Sequence, residues 1–206
     1  MKKIILGMTA VLSLMACSDG GRQNPFLTEW DTPYGIPPFA DIQVEDYIPA
    51  IEAGIEQQNK EIDEIVSNQE SPTFENTVLP LELSGEILSK VSGVLFNVSE
   101  TDRTDELDSV MEKALPMLTE HGDNISFNKG LYERIAKLYH ADQSQLNREQ
   151  QMVLKKRFEA FERNGIGLSE EKQTRLREIN TEMASKSQKL GNNILSESNA
   201  FKERFG

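Results

Sequence analysis

Apolar residues recur at helical intervals through most of this 206-residue chain, and this periodicity restricts the fold more than any other feature. The first example follows Glu45 and Asp46 and ends at the polar stretch 67–72. Its apolar residues are Ile48, Ile51, Ile55, Ile62 and Ile65. Spacings of three, four and seven define one face of an amphipathic helix of about six turns. No segment shows the sustained alternation that is typical of a half-buried strand. The sequence therefore predicts an all-α fold.

Five further helices are predicted, which makes the fold a bundle-like multi-helix array. The second helix, from about Thr73 to Ser99, is apolar around most of its circumference, as expected of a helix buried among others. Pro80 should kink its first turns, whereas Gly85 and Gly93 should let neighbouring backbones approach closely. The third helix follows capping residues at 101–105 and is closed by Gly122. The remaining helices are predicted at about 131–139, 147–163 and 169–198.

The last predicted helix has a narrow apolar face. Its apolar residues are Leu176, Ile179, Met183, Leu190 and Ile194. So thin a stripe suits a long helix that packs along a single partner. The preceding helix, with Phe158 and Phe161 inward, can return along it after Asn164 and Gly165. We therefore expect a long C-terminal helical hairpin.

Residues 24–40 form a proline-rich arm with interleaved aromatic residues. The prolines are Pro25, Pro33, Pro37 and Pro38, and the aromatic residues are Phe26, Trp30, Tyr34 and Phe39. Prolines prevent a long helix here, and aromatic rings can anchor an irregular segment on a neighbouring surface. We expect the arm to pack on its own domain, and a peptide-binding aromatic strip is the alternative. The predicted organisation is a tether and arm at 18–44, followed by a helical region at 45–206.

The first seventeen residues resemble the signal peptide of a bacterial lipoprotein. Lys2 and Lys3 precede an apolar run at 4–14, which is shorter than the roughly 20 residues of a membrane-spanning helix. Cys17, the only cysteine, follows that run directly, where lipidation would anchor the chain. The alternative is an ordinary signal peptide with an incidental cysteine. With Ser18 next, the pattern predicts lipidation at Cys17 and a location in the outer membrane of a Gram-negative bacterium.

The charge pattern excludes several classes of function. A formal net charge of −12 argues against nucleic acid and anionic membrane surfaces as binding partners. There is no glycine-rich phosphate loop after a strand pattern, so a nucleotide site is not indicated. The acidic groups at 45–46, 61–64 and 170–171 lie on solvent faces or in first turns. We interpret them as capping and solvating charges rather than as an acid–base pair.

The two histidines, His121 and His140, lie nineteen positions apart on different predicted helices. A zinc peptidase of the HExxH type needs two histidines at i and i+4 with a glutamate between them. Glu120, His121 and Asp123 are close enough in sequence for a metal site to be considered. However, the helix dipole alone favours a histidine near a helix C-terminus. We therefore expect no catalytic residue and no metal ligand in this chain.

Five short motifs occur in an order that resembles a known family. They are Asn24–Leu27, Pro38–Ile42, Tyr47–Ala50 with Gly54, Pro72–Val78 and Leu81–Gly85. Together they resemble the N-terminal region of bacterial peptidyl-dipeptidases, which belong to the thimet-oligopeptidase family of zinc metallopeptidases. The resemblance extends from residue 24 to about 199, and the run from Asn76 to Gly85 is its most specific part.

The resemblance implies a mostly helical, two-lobed enzyme that removes C-terminal dipeptides from oligopeptides. Its N-terminal helices help to wall a deep channel that admits only short unfolded peptides. The zinc motif of the family lies several hundred residues downstream of this region, so no catalytic or metal residue has a matching position here. The chain alone is therefore expected to be inactive and to contain no cofactor. The alternative is a free-standing, non-catalytic helical lipoprotein that binds peptides or a protein partner.

Overall fold

The computed structural model describes residues 22–205, and it confirms the all-α array. The described residues form seven α-helices and no strand. The helices are α1 (Tyr47–Ser67), α2 (Leu79–Leu83), α3 (Glu86–Thr101), α4 (Asp105–Ser126), α5 (Lys129–Tyr139), α6 (Arg148–Arg163) and α7 (Glu170–Phe205). A π-helical turn, Phe74–Val78, leads into α2. The predicted signal peptide with Cys17 lies outside the described residues.

α1 is the central helix, because its two halves belong to two separate hydrophobic cores. The first half buries Ile51 against α3 and α4, around Leu95. The second half buries Ile62 and Ile65 against the π-helical turn, α5 and α6, around Leu154. Full burial of one such side chain contributes about 1.5–3 kcal/mol. α1 therefore joins both halves of the array and fixes the positions of the helices around it.

The predicted second helix is in fact two helices, α2 and α3, separated at Ser84 and Gly85. Gly85 has a φ of 75°, in the left-handed region that residues with a Cβ avoid. Its N–H donates a hydrogen bond of 2.8 Å to the carboxylate of Glu61. The prediction of one continuous helix is wrong because the apolar periodicity continues on both sides of the break and gives no sign of the single left-handed residue.

α1 and α3 approach each other closely at Gly54. A Cβ built on Gly54 would lie 2.8 Å from the backbone nitrogen of Leu88 and 3.0 Å from its Cα. We expected Gly93 to allow a close approach, but a Cβ there would meet nothing within 4 Å. That expectation is wrong, since Gly93 is exposed and lies away from α1.

α4 continues past Gly122, at which it was predicted to stop, and ends at Ser126. Its N-terminus is capped as expected, because the Thr104 hydroxyl accepts a hydrogen bond from the N–H of Leu107. Gly122 is exposed inside the helix, where it costs about 1 kcal/mol relative to alanine and is tolerated. Consequently His121 lies within the helix and is buried.

The first half of the arm packs on the helical domain, as expected. Phe26 is only 1% exposed and contacts the rings of Trp30 and Tyr47. The side chain of Asn24 accepts a hydrogen bond from the N–H of Phe26 and donates one to the carbonyl of Asp46. The outer half of the arm is more exposed, and Tyr34 within it is fully exposed.

The long C-terminal helix follows α6, as expected, but it lies along α4. Asn180 donates a hydrogen bond of 2.7 Å to the carboxylate of Asp123. Arg177 donates one to Asn124 and places its guanidinium over the ring of Phe127. These contacts bring the polar side of α7 against α4. The predicted apolar face is therefore not the packing surface, and its exposed members are Ile179, Met183, Leu190 and Ile194.

Candidate functional site

An open cleft of about 480 Å³ lies between α1, α3 and α4. Its lining combines hydroxyl and amide groups with apolar side chains. The lining residues are Gln58, Ser84, Gly85, Leu88, Ser89, Ser92, Phe96, Leu115, Leu118 and Thr119. One end of the cleft is formed by Ser84 and Gly85, the last residues of the motif that carries the strongest resemblance.

The amide of Gln58 connects three parts of the chain at this end of the cleft. Its Nε2 donates a hydrogen bond of 3.0 Å to the hydroxyl of Ser84, which in turn donates to the carbonyl of Leu81. Its Oε1 lies 2.7 Å from Nε2 of His121 on α4. Gly85 leaves room for this amide, because a Cβ there would come within 2.5 Å of the Gln58 nitrogen. The polar end of the cleft is therefore held in place by contacts from α1, the α2–α3 turn and α4.

The contact with Gln58 determines which ring nitrogen of His121 carries the proton. Since Oε1 of Gln58 can only accept, Nε2 of His121 carries the proton and donates. Nδ1 of His121 is buried and has no hydrogen-bond partner among the residues that the structure describes. Burial lowers the pKa of His121 from its ordinary value of 6.5, because a charged imidazole would lose its hydration. The ring is therefore neutral in the folded protein at neutral pH.

We expect this histidine to make stability depend on pH. The unfolded chain takes up a proton near pH 6.5, whereas the folded chain resists protonation until lower pH. The free energy of unfolding should therefore fall as the pH drops below about 6.5, by at most about 1.4 kcal/mol per pH unit. Urea unfolding between pH 5 and pH 8 measures this slope.

His121→Gln should reduce the slope, because it removes the buried imidazole. Equal slopes for the wild type and His121→Gln would contradict the assignment of this pH dependence to His121.

The three residues considered for a metal site do not converge. His121 contacts Gln58 on α1, Asp123 contacts Asn180 on α7, and Glu120 is exposed. Within residues 22–205 there is no group of three or more histidine, cysteine, aspartate or glutamate side chains that could hold a metal ion. The donor set of this part of the chain therefore does not fit the zinc site that the resemblance implies for the family.

The motif Pro72–Val78 is organised around Arg134, a buried residue that the sequence did not single out. Its guanidinium donates to the carbonyl oxygens of Asn68 (2.7 Å) and Glu70 (3.2 Å). It also donates to Oδ1 of Asn76 (3.1 Å) and to the hydroxyl of Thr77 (3.3 Å). These four acceptors are uncharged and come from the segment that joins α1 to α2. Arg134 therefore anchors this segment through Asn76 and Thr77, which open the most specific run of the resemblance.

The acidic groups make capping and turn contacts, but not all of them are the solvating charges that we expected. Asp46 is buried and accepts a hydrogen bond from the N–H of Gln43, and it also pairs with Arg22. Glu61 accepts the N–H of Gly85, and Glu170 lies in the first turn of α7. Carboxylates at such positions stabilise turns and helix N-termini.

Known proteins similar to this chain include two enzymes of Escherichia coli. Dipeptidyl carboxypeptidase is 31% identical over 173 residues, which is 84% of this chain and 25% of that protein. Oligopeptidase A is 29% identical over 173 residues, with the same coverage of both chains. This chain spans about a quarter of the length of either relative.

The predicted location in the outer membrane is wrong in the light of these comparisons. Two relatives from Arabidopsis thaliana carry a compartment in their names, a probable cytosolic oligopeptidase A and a chloroplastic and mitochondrial oligopeptidase A. The prediction depended on a short apolar run before Cys17. Because this pattern involves only a few residues, it can occur by coincidence. Among residues 22–205, no helix has the length and apolar character needed to cross a bilayer.

A family model covers more than half of the chain and agrees with these relatives. Residues 51–173 match the N-terminal domain of neurolysin and thimet oligopeptidase. The matched range includes the whole of the second hydrophobic core, most of the first, the cleft and the Arg134 contacts. The chain therefore belongs to the neurolysin and thimet oligopeptidase family, and its helical array is the N-terminal domain of that family.

Proposed function

We propose that this chain is the non-catalytic N-terminal part of a zinc metallopeptidase that removes C-terminal dipeptides from oligopeptides. The match to the N-terminal domain over residues 51–173 is the observation that carries the proposal. The likeness to a dipeptidyl carboxypeptidase over 84% of the chain supports the reaction class. The chain spans only a quarter of that relative, and in this proposal the reaction itself is carried out by residues outside the aligned region.

The donor chemistry of the described residues supports a non-catalytic role. In a zinc peptidase the metal polarises the scissile carbonyl and activates a water molecule. His121 cannot serve as a ligand, since one nitrogen donates to Gln58 and the other lies buried inside the array. His140 is exposed at the end of α5, where it packs its ring against Phe158.

The cleft supports a role in building the wall of a peptide channel. Hydroxyl groups of Ser89, Ser92 and Thr119 lie beside the apolar side chains of Leu115 and Phe96. Such a surface can contact both the backbone and the side chains of an extended peptide. In this proposal the helical array shapes and limits access to a reaction centre that other residues provide.

The purified chain should bind no stoichiometric zinc and should release no dipeptide from labelled oligopeptides. Metal analysis after dialysis against zinc measures the first property, and chromatography of the peptide products measures the second. Escherichia coli dipeptidyl carboxypeptidase under the same conditions is the positive control. Metal-dependent dipeptide release that survives removal of contaminating proteases would refute the proposal.

A second candidate is a free-standing helical protein that binds peptides without cleaving them, and the open cleft is the observation that favours it. The same oligopeptides would then bind in calorimetric titrations and remain intact. Phe96→Ala in the cleft should weaken that binding, while Tyr34→Ala, at a fully exposed site on the arm, should not. Absence of binding at millimolar peptide would leave only the first candidate.

A further inference from the structure

A second open cleft, of about 520 Å³, lies between the end of α5, the loop 140–147 and the first half of α6. Its lining carries three basic side chains and no carboxylate, although the formal net charge of the chain is −12. We call this surface the basic cleft. Its basic residues are His140, Arg148 and Lys155, and its other lining residues are Tyr139, Gln143, Gln151 and Met152. The function proposed above assigns no role to this cleft.

α6 contributes one continuous face to the basic cleft. Its lining residues occupy positions i, i+3, i+4 and i+7, which lie on the same side of a helix: Arg148, Gln151, Met152 and Lys155. Lys156, the next residue along the chain, is exposed and does not line the cleft. Arg148 is the first residue of α6, so the positive end of the helix dipole adds to the charge at this end of the cleft.

The wall of the basic cleft is held in place by contacts within the chain. Nε2 of Gln143 donates a hydrogen bond of 2.6 Å to the carbonyl of Tyr139, and Nε2 of Gln151 donates one of 3.1 Å to the carbonyl of Gln143. The ring of Tyr139 stacks on Phe158 with 4.2 Å between centroids, and the ring of His140 meets Phe158 edge-on at 5.3 Å. A cleft fixed in this way needs little ordering when a ligand binds.

The charges of the basic cleft are not neutralised by nearby carboxylates. Arg148 forms no side-chain hydrogen bond or ion pair with the residues that the structure describes. Lys155 lies 3.7 Å from the carboxylate of Glu159, which is beyond hydrogen-bond distance. In the loop, the carboxylate of Asp142 accepts hydrogen bonds from the N–H and the hydroxyl of Ser144. The cleft therefore offers free cationic donors to an anion.

We propose that the basic cleft binds the phosphate group of a small organic molecule. Arg148 and Lys155 together match the charge of a phosphate monoester, which is about −1.5 to −2 at neutral pH, whereas a single carboxylate would neutralise only one of them. The guanidinium can donate to two phosphate oxygens at once, and the ammonium adds a point charge. Tyr139 and Met152 provide an apolar surface for the organic part in the same cleft.

The acidic net charge of the chain limits the size of the ligand but does not prevent its binding. Screening restricts charge interactions to about 8 Å at physiological salt, so a small dianion responds mainly to the groups that line the cleft. A nucleic acid would extend beyond the cleft over a surface that is acidic overall, which disfavours it. The inference depends only on α5, α6 and their loop, and it holds whether or not the proposed peptidase function is correct.

Titration of the full chain with inorganic phosphate at constant ionic strength, followed by amide shifts in nitrogen-15 NMR spectra, tests the site. We expect saturable shifts confined to the neighbourhood of residues 139–155 and a dissociation constant in the millimolar range. Acetate should bind about tenfold more weakly, because it carries one charge. Phenyl phosphate should bind about threefold more tightly than inorganic phosphate, because its ring adds an apolar contact.

Substitutions on α6 locate the site. Arg148→Gln should raise the dissociation constant for phosphate about tenfold, and Lys155→Gln about threefold. Arg148→Lys keeps the charge but loses the planar fork, so its effect should be smaller than that of Arg148→Gln. Lys156→Gln is the matched control, since it removes the same charge from the adjacent exposed position and should change the constant by less than about twofold. All three positions are exposed, so the fold should persist, which circular dichroism checks.

Four results would overturn the proposal. Shifts that grow linearly up to the highest phosphate concentration would mean that no site exists. Equal losses for Lys156→Gln and Arg148→Gln would mean that phosphate responds to overall charge rather than to the basic cleft. Acetate that binds as tightly as phosphate would contradict the selection of a dianion. Phenyl phosphate that binds no more tightly than inorganic phosphate would contradict the assignment to an organic phosphate.

Discussion

Replacing Arg134 with methionine should lower the free energy of unfolding by about 3 kcal/mol, a large part of the 5–15 kcal/mol that stabilises a typical domain. Arg134 is only 8% exposed, and its guanidinium donates to Asn68, Glu70, Asn76 and Thr77. Methionine fills much of the same volume but donates nothing. The acceptors would then be left without donors in a partly or fully buried setting, and each such loss costs about 1–3 kcal/mol.

Urea denaturation followed by circular dichroism measures this loss, and Arg163→Met is the matched control. Arg163 is exposed in the last turn of α6, so its replacement should change stability by less than about 0.5 kcal/mol. The stability of Arg134→Lys should fall between those of the two methionine variants. Its ammonium group keeps the charge, but it cannot reach all the acceptors that the wider, planar guanidinium binds. If Arg134→Met were as stable as Arg163→Met, the guanidinium would not anchor the segment between α1 and α2.

Most helices could be predicted because their starts and stops depend on local chemistry. The N-terminus of α6 is capped by Asn147, and its end is marked by Asn164 and Gly165, whose φ is 91°. The break between α2 and α3 could not be predicted, because it depends on one left-handed residue that a carboxylate on another helix stabilises. At α4 the error was the opposite one, because a stop was predicted where the helix continues. Gly122 was read as a helix end, although a helix tolerates an exposed glycine.

Contacts over long sequence distances explain what the sequence did not reveal about the candidate site. His121 was expected near a helix end, yet it meets Gln58 from a helix more than sixty residues earlier. Arg134 has no local signal, because its acceptors lie between residues 68 and 77. On α7 the periodicity correctly located the apolar side but not its partner, since the contacts with α4 are made by polar groups such as Asn180.

Gly54→Ala should destabilise the protein by about 2 kcal/mol, whereas Gly93→Ala should stabilise it by about 0.5–1 kcal/mol. Both glycines lie inside helices, so alanine brings the same gain in helix propensity at either position. The difference comes from the space that is available for the new methyl group at each position. The new methyl group at residue 54 would lie 2.8 Å from the backbone nitrogen of Leu88, while the one at residue 93 would meet nothing within 4 Å.

The clash at Gly54 can be assigned to backbone rather than side-chain atoms with a double-mutant cycle. Leu88→Ala removes most of the Leu88 side chain but leaves its nitrogen, Cα and Cβ, which are the three nearest atoms. If these atoms cause the strain, the penalty of Gly54→Ala should be the same with leucine or alanine at position 88, and the two effects should add. Relief of the penalty by Leu88→Ala would mean that side-chain crowding limits the approach. Persistence of the penalty would show that α1 must move away from α3, and because α1 belongs to both cores, such a shift weakens packing around Leu95 and Leu154 together.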